Sequence, residues 1–302
     1  MDTLRIKKHE KRGILYNCAT WRDYVFRIIV GIIMGLFAVS FIYMLFWMLT
    51  NSFRTGGSFN ENPFKILDFS NATVENFSTA FTKKVGRSRT TVVIAVGNSL
   101  LQMIPPLIIG CFLPSMTGFV GAKYRFIGRE FITMLVIISM TIPSISATTS
   151  TYKFINAIGL YDSFFGIYLM NAAGLGFGFL LYRNFFAAIP WEYAEAAYID
   201  GAGNWTIYLR IFLPQALPLI VSTAIMGVIG YWNDYSTPYL YLPSHPTIAV
   251  FVDTIYTVFV KQGADYPKIF AVMTFSTAVT LIIYAAFSKT IMSSMSAGGI
   301  KG

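Results

Sequence analysis

The chain has 302 residues, 55% of them hydrophobic and 12% charged, with a formal charge of +9. A soluble domain carries about 25% charged residues, so half the usual charge is missing and the composition is that of a membrane protein. Basic residues flank apolar runs and form no face interleaved with aromatics, which argues against nucleic acid as a partner. Cys18, Cys111, His9 and His245 stand apart from one another, so no disulfide, metal site or redox chemistry is expected.

Hydrocarbon requires about 20 apolar residues per crossing helix. Six uncharged runs meet that length: 28–53, 90–122, 131–152, 163–182, 211–233 and 269–288. They predict an all-α integral membrane fold with six transmembrane helices. The first run follows a basic arm, is too long for a signal-peptide core and lacks a cleavage pattern, so it reads as a retained helix. In the loop 54–89, Gly56, Gly57, Asn60, Asn62 and Pro63 signal turns. A short interfacial helix is expected over 72–81, capped by Asn71.

Pro105, Pro106, Pro114 and Pro143 are expected to bend the second and third helices. Gly174, Gly176 and Gly178 suit close helix packing in the fourth. Lys153 and Asp162 flank an outer loop that either touches a partner or is simply surface charge. The run 235–252 is also uncharged, but Pro238, Pro243 and Pro246 interrupt it. Proline costs about 3 kcal/mol in a helix interior, so an external loop or short re-entrant segment is expected there. With the N-terminus inside, inner segments hold 14 Lys and Arg against 9 outside, seven of the 14 in the basic arm. Both termini are therefore expected in the cytoplasm.

Between the fourth and fifth runs, residues 189–214 read as two short helices with a sharp break. Pro190 and Glu192 suit a first turn. A helix over 191–200 is about 15 Å long at 1.5 Å per residue. Gly201 suits a left-handed C-terminal cap, Asn204 the cap of the next helix, and Pro214 a bend into the fifth run. Glu195 and Ile199 share one face, and Ala194, Ala197 and Tyr198 another. By pattern alone, an amphipathic helix in the membrane interface fits as well.

The spacing is more specific. Glu195-Ala196-Ala197, Gly201 and Ile211-x-Leu213-Pro214 resemble the EAA loop of bacterial ABC importer permeases at all seven specified positions. At roughly 7% usage per residue, chance agreement is on the order of 10⁻⁸. Asp200, Asn98-Ser99, the Tyr124-Arg125-Phe126-Ile127-Gly128-Arg129 run, Trp232-Asn233-Asp234-Tyr235 and the closing Gly298-Gly299-Ile300-Lys301-Gly302 are similar to the carbohydrate, maltose-transporter type. The likeness covers about residues 20–302, and is to the shorter, six-span member of a permease pair.

This resemblance implies a permease of the bacterial inner membrane, multi-pass and not itself an enzyme, divided into a cytoplasmic arm 1–27, a transmembrane permease domain 28–290 with its coupling loop 189–214, and a tail 291–302. Glu195, Ala196, Ala197, Asp200 and Gly201 would dock a dimer of ATP-binding cassette ATPases. ATP and Mg²⁺ would sit on that partner, since the chain has no Gly-Lys dipeptide and hence no phosphate loop of its own. A second homologous permease and an extracytoplasmic solute-binding protein would complete the importer, with sugar, favoured as an oligosaccharide, as cargo. A polyamine, amino acid or other small solute is the alternative. For Trp232, Asn233, Asp234 and Tyr235 two readings stand: a sugar pathway in which Trp232 stacks on the solute, or an aromatic belt beside a helix-ending polar pair.

Overall fold

A computed structural model describes residues 21–65, 72–86, 88–142, 145–263 and 265–298. Most of the basic arm, Asn71, Pro143 and the last four residues lie outside them. Among the described residues the chain is helical, with two isolated antiparallel bridges, Arg54–Ala72 and Val85–Thr90, and no longer strand.

Helix α1 (Trp21–Asn51) carries the first apolar run and begins before it. Helix α2 (Gly56–Glu61) follows at once, started by Thr55, whose side chain accepts the Ser58 amide. Helix α3 (Glu75–Thr82) starts later than the sequence suggests. Ala72 is bridged to Arg54, and the Thr73 amide donates to the Phe53 carbonyl, which holds this stretch extended. Helix α4 (Val92–Lys123), capped by Thr91, stays continuous through Pro105, Pro106 and Pro114.

The third and fourth runs do not form single helices. The third divides into α5 (Arg129–Thr141) and α6 (Ile145–Ala157), the fourth into α7 (Phe164–Asn171) and α8 (Phe177–Ala187). At about 1.5 Å per residue each piece is shorter than the hydrocarbon layer. Helix α9 (Glu192–Ile199) precedes α10 (Asn204–Gln215), which contains a π-helical turn over Tyr208–Phe212. Helix α11 (Leu217–Trp232) leaves α10 at 71°. The bend lies between Pro214 and Pro218, neither of which can donate a backbone hydrogen bond.

The proline-interrupted run 235–252 is no open loop. It forms α12 (Ser236–Tyr241) and most of the turns leading into α13 (Ile248–Gly263), which buries Ile248, Phe251 and Ile255 against α4 and the last helix, α14 (Tyr266–Gly298). Among the described residues three stretches, Asp23–Asn51, Val92–Lys123 and Tyr266–Ser288, are long and apolar enough to cross a membrane. The bent pair α10–α11 is a fourth if taken as one span.

Helices α4 and α8 pack closely. A Cβ at Gly118 would lie 2.7 Å from the Tyr182 Cβ and 2.9 Å from the Arg183 amide nitrogen, and one at Gly121 would meet the Phe179 ring at 2.8 Å. Gly178 lies equally close to Pro114, and Gly174 to Thr117, so these glycines serve packing as expected, while Gly176 has open space. Arg54 is also structural. Its guanidinium is buried and donates to the Asn51 side chain, the Asn62 and Lys65 carbonyls and the Ser58 hydroxyl and carbonyl, closing the turn after α1.

Candidate coupling helix and pathway segment

Helix α9 starts where the Trp191 carbonyl accepts the amides of Ala194 (2.8 Å) and Glu195 (3.2 Å). It ends in a complete Schellman motif. The Gly201 amide donates to the Tyr198 carbonyl at 3.0 Å and the Ala202 amide to the Ala197 carbonyl at 2.9 Å. Gly201 sits at φ +79°, a conformation that disfavours any side chain. The expected cap is therefore present, and two carbonyls left over by the helix end are satisfied.

The two sides of α9 differ sharply. Ala194 and Ala197 are buried in a cluster with Phe119, Tyr182, Phe186, Ile207, Tyr208 and Phe212. Glu192, Glu195, Ala196, Ile199 and Asp200 are exposed, Ile199 by 87%. Ala197 thus lets α9 approach the chain's own core, while Ala196 beside it faces outward.

Asn204 does not cap the second helix as the sequence suggests. It is the first residue of α10, after Gly203, and its side-chain carbonyl accepts the hydroxyls of Tyr124 and Tyr198. That acceptor joins α9, α10 and the end of α4. Tyr124 is pushed up to about 12 by burial first and by its hydrogen bond with Tyr198 second, so its phenol stays a protonated donor at neutral pH. Lys123 completes the fastening: its ammonium donates to the Ile189 carbonyl and lies 5.4 Å over the Phe212 ring.

In the segment after α11, Trp232 is placed differently from both sequence readings. Trp232 is 4% exposed and donates its indole N–H to the Ser276 carbonyl at 3.2 Å, so it packs in the core and offers no face to a solute or a lipid headgroup. Asn233 is exposed and donates back to the Ile229 carbonyl at 2.8 Å. Asp234 is half-buried; one oxygen accepts the Gln102 amide N–H at 3.1 Å and the other the Thr237 backbone N–H at 3.1 Å, which starts α12. Tyr235 is partly exposed and stacks on Tyr239.

Gln102 was not singled out by sequence, although it lies one helical turn beyond Asn98 and Ser99 in an apolar run. All three are buried on α4. Asn98 donates to the Pro246 carbonyl at 3.0 Å, and the Ser99 hydroxyl accepts the Ile248 amide at 2.8 Å. This polar stripe fixes both ends of the fold-back between α11 and α13. Asp162 performs a similar task elsewhere. Its carboxylate accepts the Ser244 amide at 3.0 Å and faces His245 Nδ1 at 3.4 Å, so His245 is not isolated. Burial acts to raise the Asp162 carboxyl, but the Ser244 and His245 interactions outweigh it and hold it below its ordinary range.

A family model described as "Binding-protein-dependent transport system inner membrane component" matches residues 87–296. The chain is 27% identical to the diacetylchitobiose uptake system permease protein NgcG of Streptomyces coelicolor over 94% of this chain and 92% of that protein. It is 27% identical to the maltodextrin transport system permease protein MdxG of Bacillus subtilis, over 91% and 96%. Its fold is similar to a chain of a bacterial ABC transporter involved in import of the acidic polysaccharide alginate, with a TM-score of 0.75, 17% identity and coverage of 90% and 98%. Both the match and the helical architecture reach through the candidate coupling loop and the fold-back. The chain belongs to the family of inner-membrane components of binding-protein-dependent transport systems, and is a membrane-integral permease subunit with no catalytic role of its own.

Proposed function

We propose that this chain is the permease subunit of an ATP-driven sugar importer, with an oligosaccharide as cargo and α9 as the element that docks a separate ATPase. The observation that carries this reading is the two-sided build of α9. Ala194 and Ala197 seat it on its own core, Gly201 closes it, and Glu195, Ala196, Ile199 and Asp200 face away from the chain. A rigid helix with an unpartnered acidic and apolar face suits a socket on another subunit.

In this reading α1, α4, the pair α5–α6, the pair α7–α8, the bent pair α10–α11 and α14 are the six crossings. Both termini and α9 lie in the cytoplasm, as the distribution of Lys and Arg supports. A second permease completes the pathway, a solute-binding protein delivers the sugar, and two ATPase subunits hold ATP and Mg²⁺. The names of relatives that handle diacetylchitobiose and maltodextrin favour sugar over polyamine or amino acid. Residues 233–235 lie where α11 turns into the fold-back, the place for a pathway lining in which Asp234 is held by Gln102.

The test is the full importer reconstituted in proteoliposomes with its ATPase and binding protein. Glu195→Lys is expected to abolish ATPase capture and uptake while the permease still inserts. Normal capture and uptake would reject α9 as the docking element. Uptake of spermidine or amino acids, with no uptake of diacetylchitobiose, maltodextrin or other oligosaccharides, would reject the cargo.

A further inference from the structure

Because Trp232 is enclosed, a solute at the end of α11 meets two other rings first. Tyr235 and Tyr239 have centroids 5.1 Å apart and planes inclined by 22°, and they remain 37% and 55% exposed. The carboxylate of Asp253, on α13, is exposed and faces the Tyr235 hydroxyl. Tyr239 also walls a cleft of about 210 Å³ together with Ser88, Pro243, Pro246 and Thr254. The pair is held in place from behind. Asp234 starts α12 through the Thr237 amide and is itself fixed by Gln102, while Asn98 holds the Pro246 carbonyl.

A carboxylate is expelled from hydrocarbon, so the surface carrying Asp253 faces water rather than lipid tails. Aromatic ring faces are electron-rich, and the C–H groups of a pyranose present a weakly positive, apolar face that complements them. The hydroxyls on the rim of the same sugar are donors, and a carboxylate is an acceptor only. A parallel ring pair beside one carboxylate and hydroxyl-bearing Ser88 and Thr254 matches both features of a sugar. It differs from the enclosing cage of rings that a quaternary amine requires.

We propose that Tyr235, Tyr239 and Asp253 form a contact for a pyranose unit of the transported sugar, with the sugar face stacked on Tyr239 and its hydroxyls donating to Asp253. This rests on the sugar-importer reading above. Tyr239 then supplies the stacking face that sequence gave to Trp232, which is enclosed, and Asp253 adds an acceptor beyond Asp234, which is held by Gln102 and Thr237.

The experiment uses the complete importer in proteoliposomes with its binding protein, loaded with labelled diacetylchitobiose or maltodextrin, whichever the unsubstituted importer takes up. Tyr239→Leu keeps an exposed apolar side chain but removes the ring, and is expected to slow uptake about tenfold, the size of one aromatic contact. Tyr239→Phe and Tyr239→Trp keep a stacking face and are expected to stay within about twofold of the parent on the same grounds. Asp253→Asn is expected to slow uptake several-fold. Unchanged uptake in Tyr239→Leu, or equal loss in Tyr239→Leu and Tyr239→Phe, would overturn the inference and leave the importer reading intact. So would loss of binding-protein capture by Tyr239→Leu, which would make the rings a protein contact. If the unsubstituted importer takes up no sugar but does take up spermidine, both readings fall together.

Discussion

Replacing each alanine of α9 in turn separates its two faces. Ala197 is 9% exposed and Ala194 not at all, both against aromatic side chains including Phe186 and Phe212, whereas Ala196 is exposed. Leucine and alanine are both strong helix formers, so the exchange leaves propensity nearly constant. Ala197→Leu forces three extra carbons into a filled site, which costs about 1–3 kcal/mol. At 1.4 kcal/mol per tenfold, the undocked state of α9 gains roughly five- to 150-fold. Ala196→Leu, on the surface, should change stability by less than about 0.5 kcal/mol. Hydrogen exchange at the Ala202 amide, which donates to the Ala197 carbonyl, reads the docked state directly. Faster exchange is expected in Ala197→Leu and parent-like exchange in Ala196→Leu. The latter variant should instead lose capture of the ATPase, because its new side chain projects into the proposed socket. The reverse pattern, with Ala196→Leu loosening the helix and Ala197→Leu leaving it ordered, would refute the assignment of the two faces.

Gly118→Ala should lower the thermal stability of the detergent-solubilised protein by about 1–3 kcal/mol, since its Cβ meets backbone on α8. Gly110→Ala on the same helix, where nothing lies within 4 Å, should be neutral or slightly stabilising by the same measurement. Ser99→Ala removes the acceptor of the buried Ile248 amide, a loss of about 1–3 kcal/mol that should appear as roughly five- to 150-fold faster exchange of that amide. Asp162, held below its ordinary value of 3.8, contributes stability that is fully present above that value and is lost as pH falls through its lower folded value. Protection of the Ser244 amide should therefore collapse only in that acid range, and Asp162→Asn should remove the dependence.

The loop 189–214 was the part most legible in the sequence, because its signals are local. Gly201 needs a positive φ that its own position in the chain dictates, and the carbonyls of Ala197 and Tyr198 are satisfied within the same turn. What sequence did not reveal there was which alanine faces inward, since that depends on Phe212 and Phe186 arriving from other segments. Asn204 failed as a cap for the same reason: Tyr124, eighty positions away in sequence, competes successfully for its side-chain carbonyl. The division of the fourth run was hidden because hydropathy averages over a break. Ala172, Ala173, Gly174, Leu175 and Gly176 are apolar or small, and nothing in them marks the break that lies between Asn171 and Phe177, where Gly174 packs against Thr117.

The candidate pathway segment shows the opposite limit. Trp232 and Asp234 attracted attention because a tryptophan and an acid at a helix end are chemically conspicuous. In the folded chain both are engaged, the indole N–H with the Ser276 carbonyl and the carboxylate with Gln102 and Thr237. The partners come from α14 and α4, and no local pattern announces them. Buried polar groups inside an apolar helix must find acceptors or donors, but nothing local to Asn98, Ser99 and Gln102 says which. Their partners are the two ends of the fold-back, for which the prolines at 238, 243 and 246 had suggested an external loop or a short re-entrant segment. The interruption is therefore a means of folding rather than a failure of helix: it releases backbone groups near Pro246 and Ile248 that α4 is equipped to bind. In doing so it sets Tyr235, Tyr239 and Asp253 on a fixed base facing water.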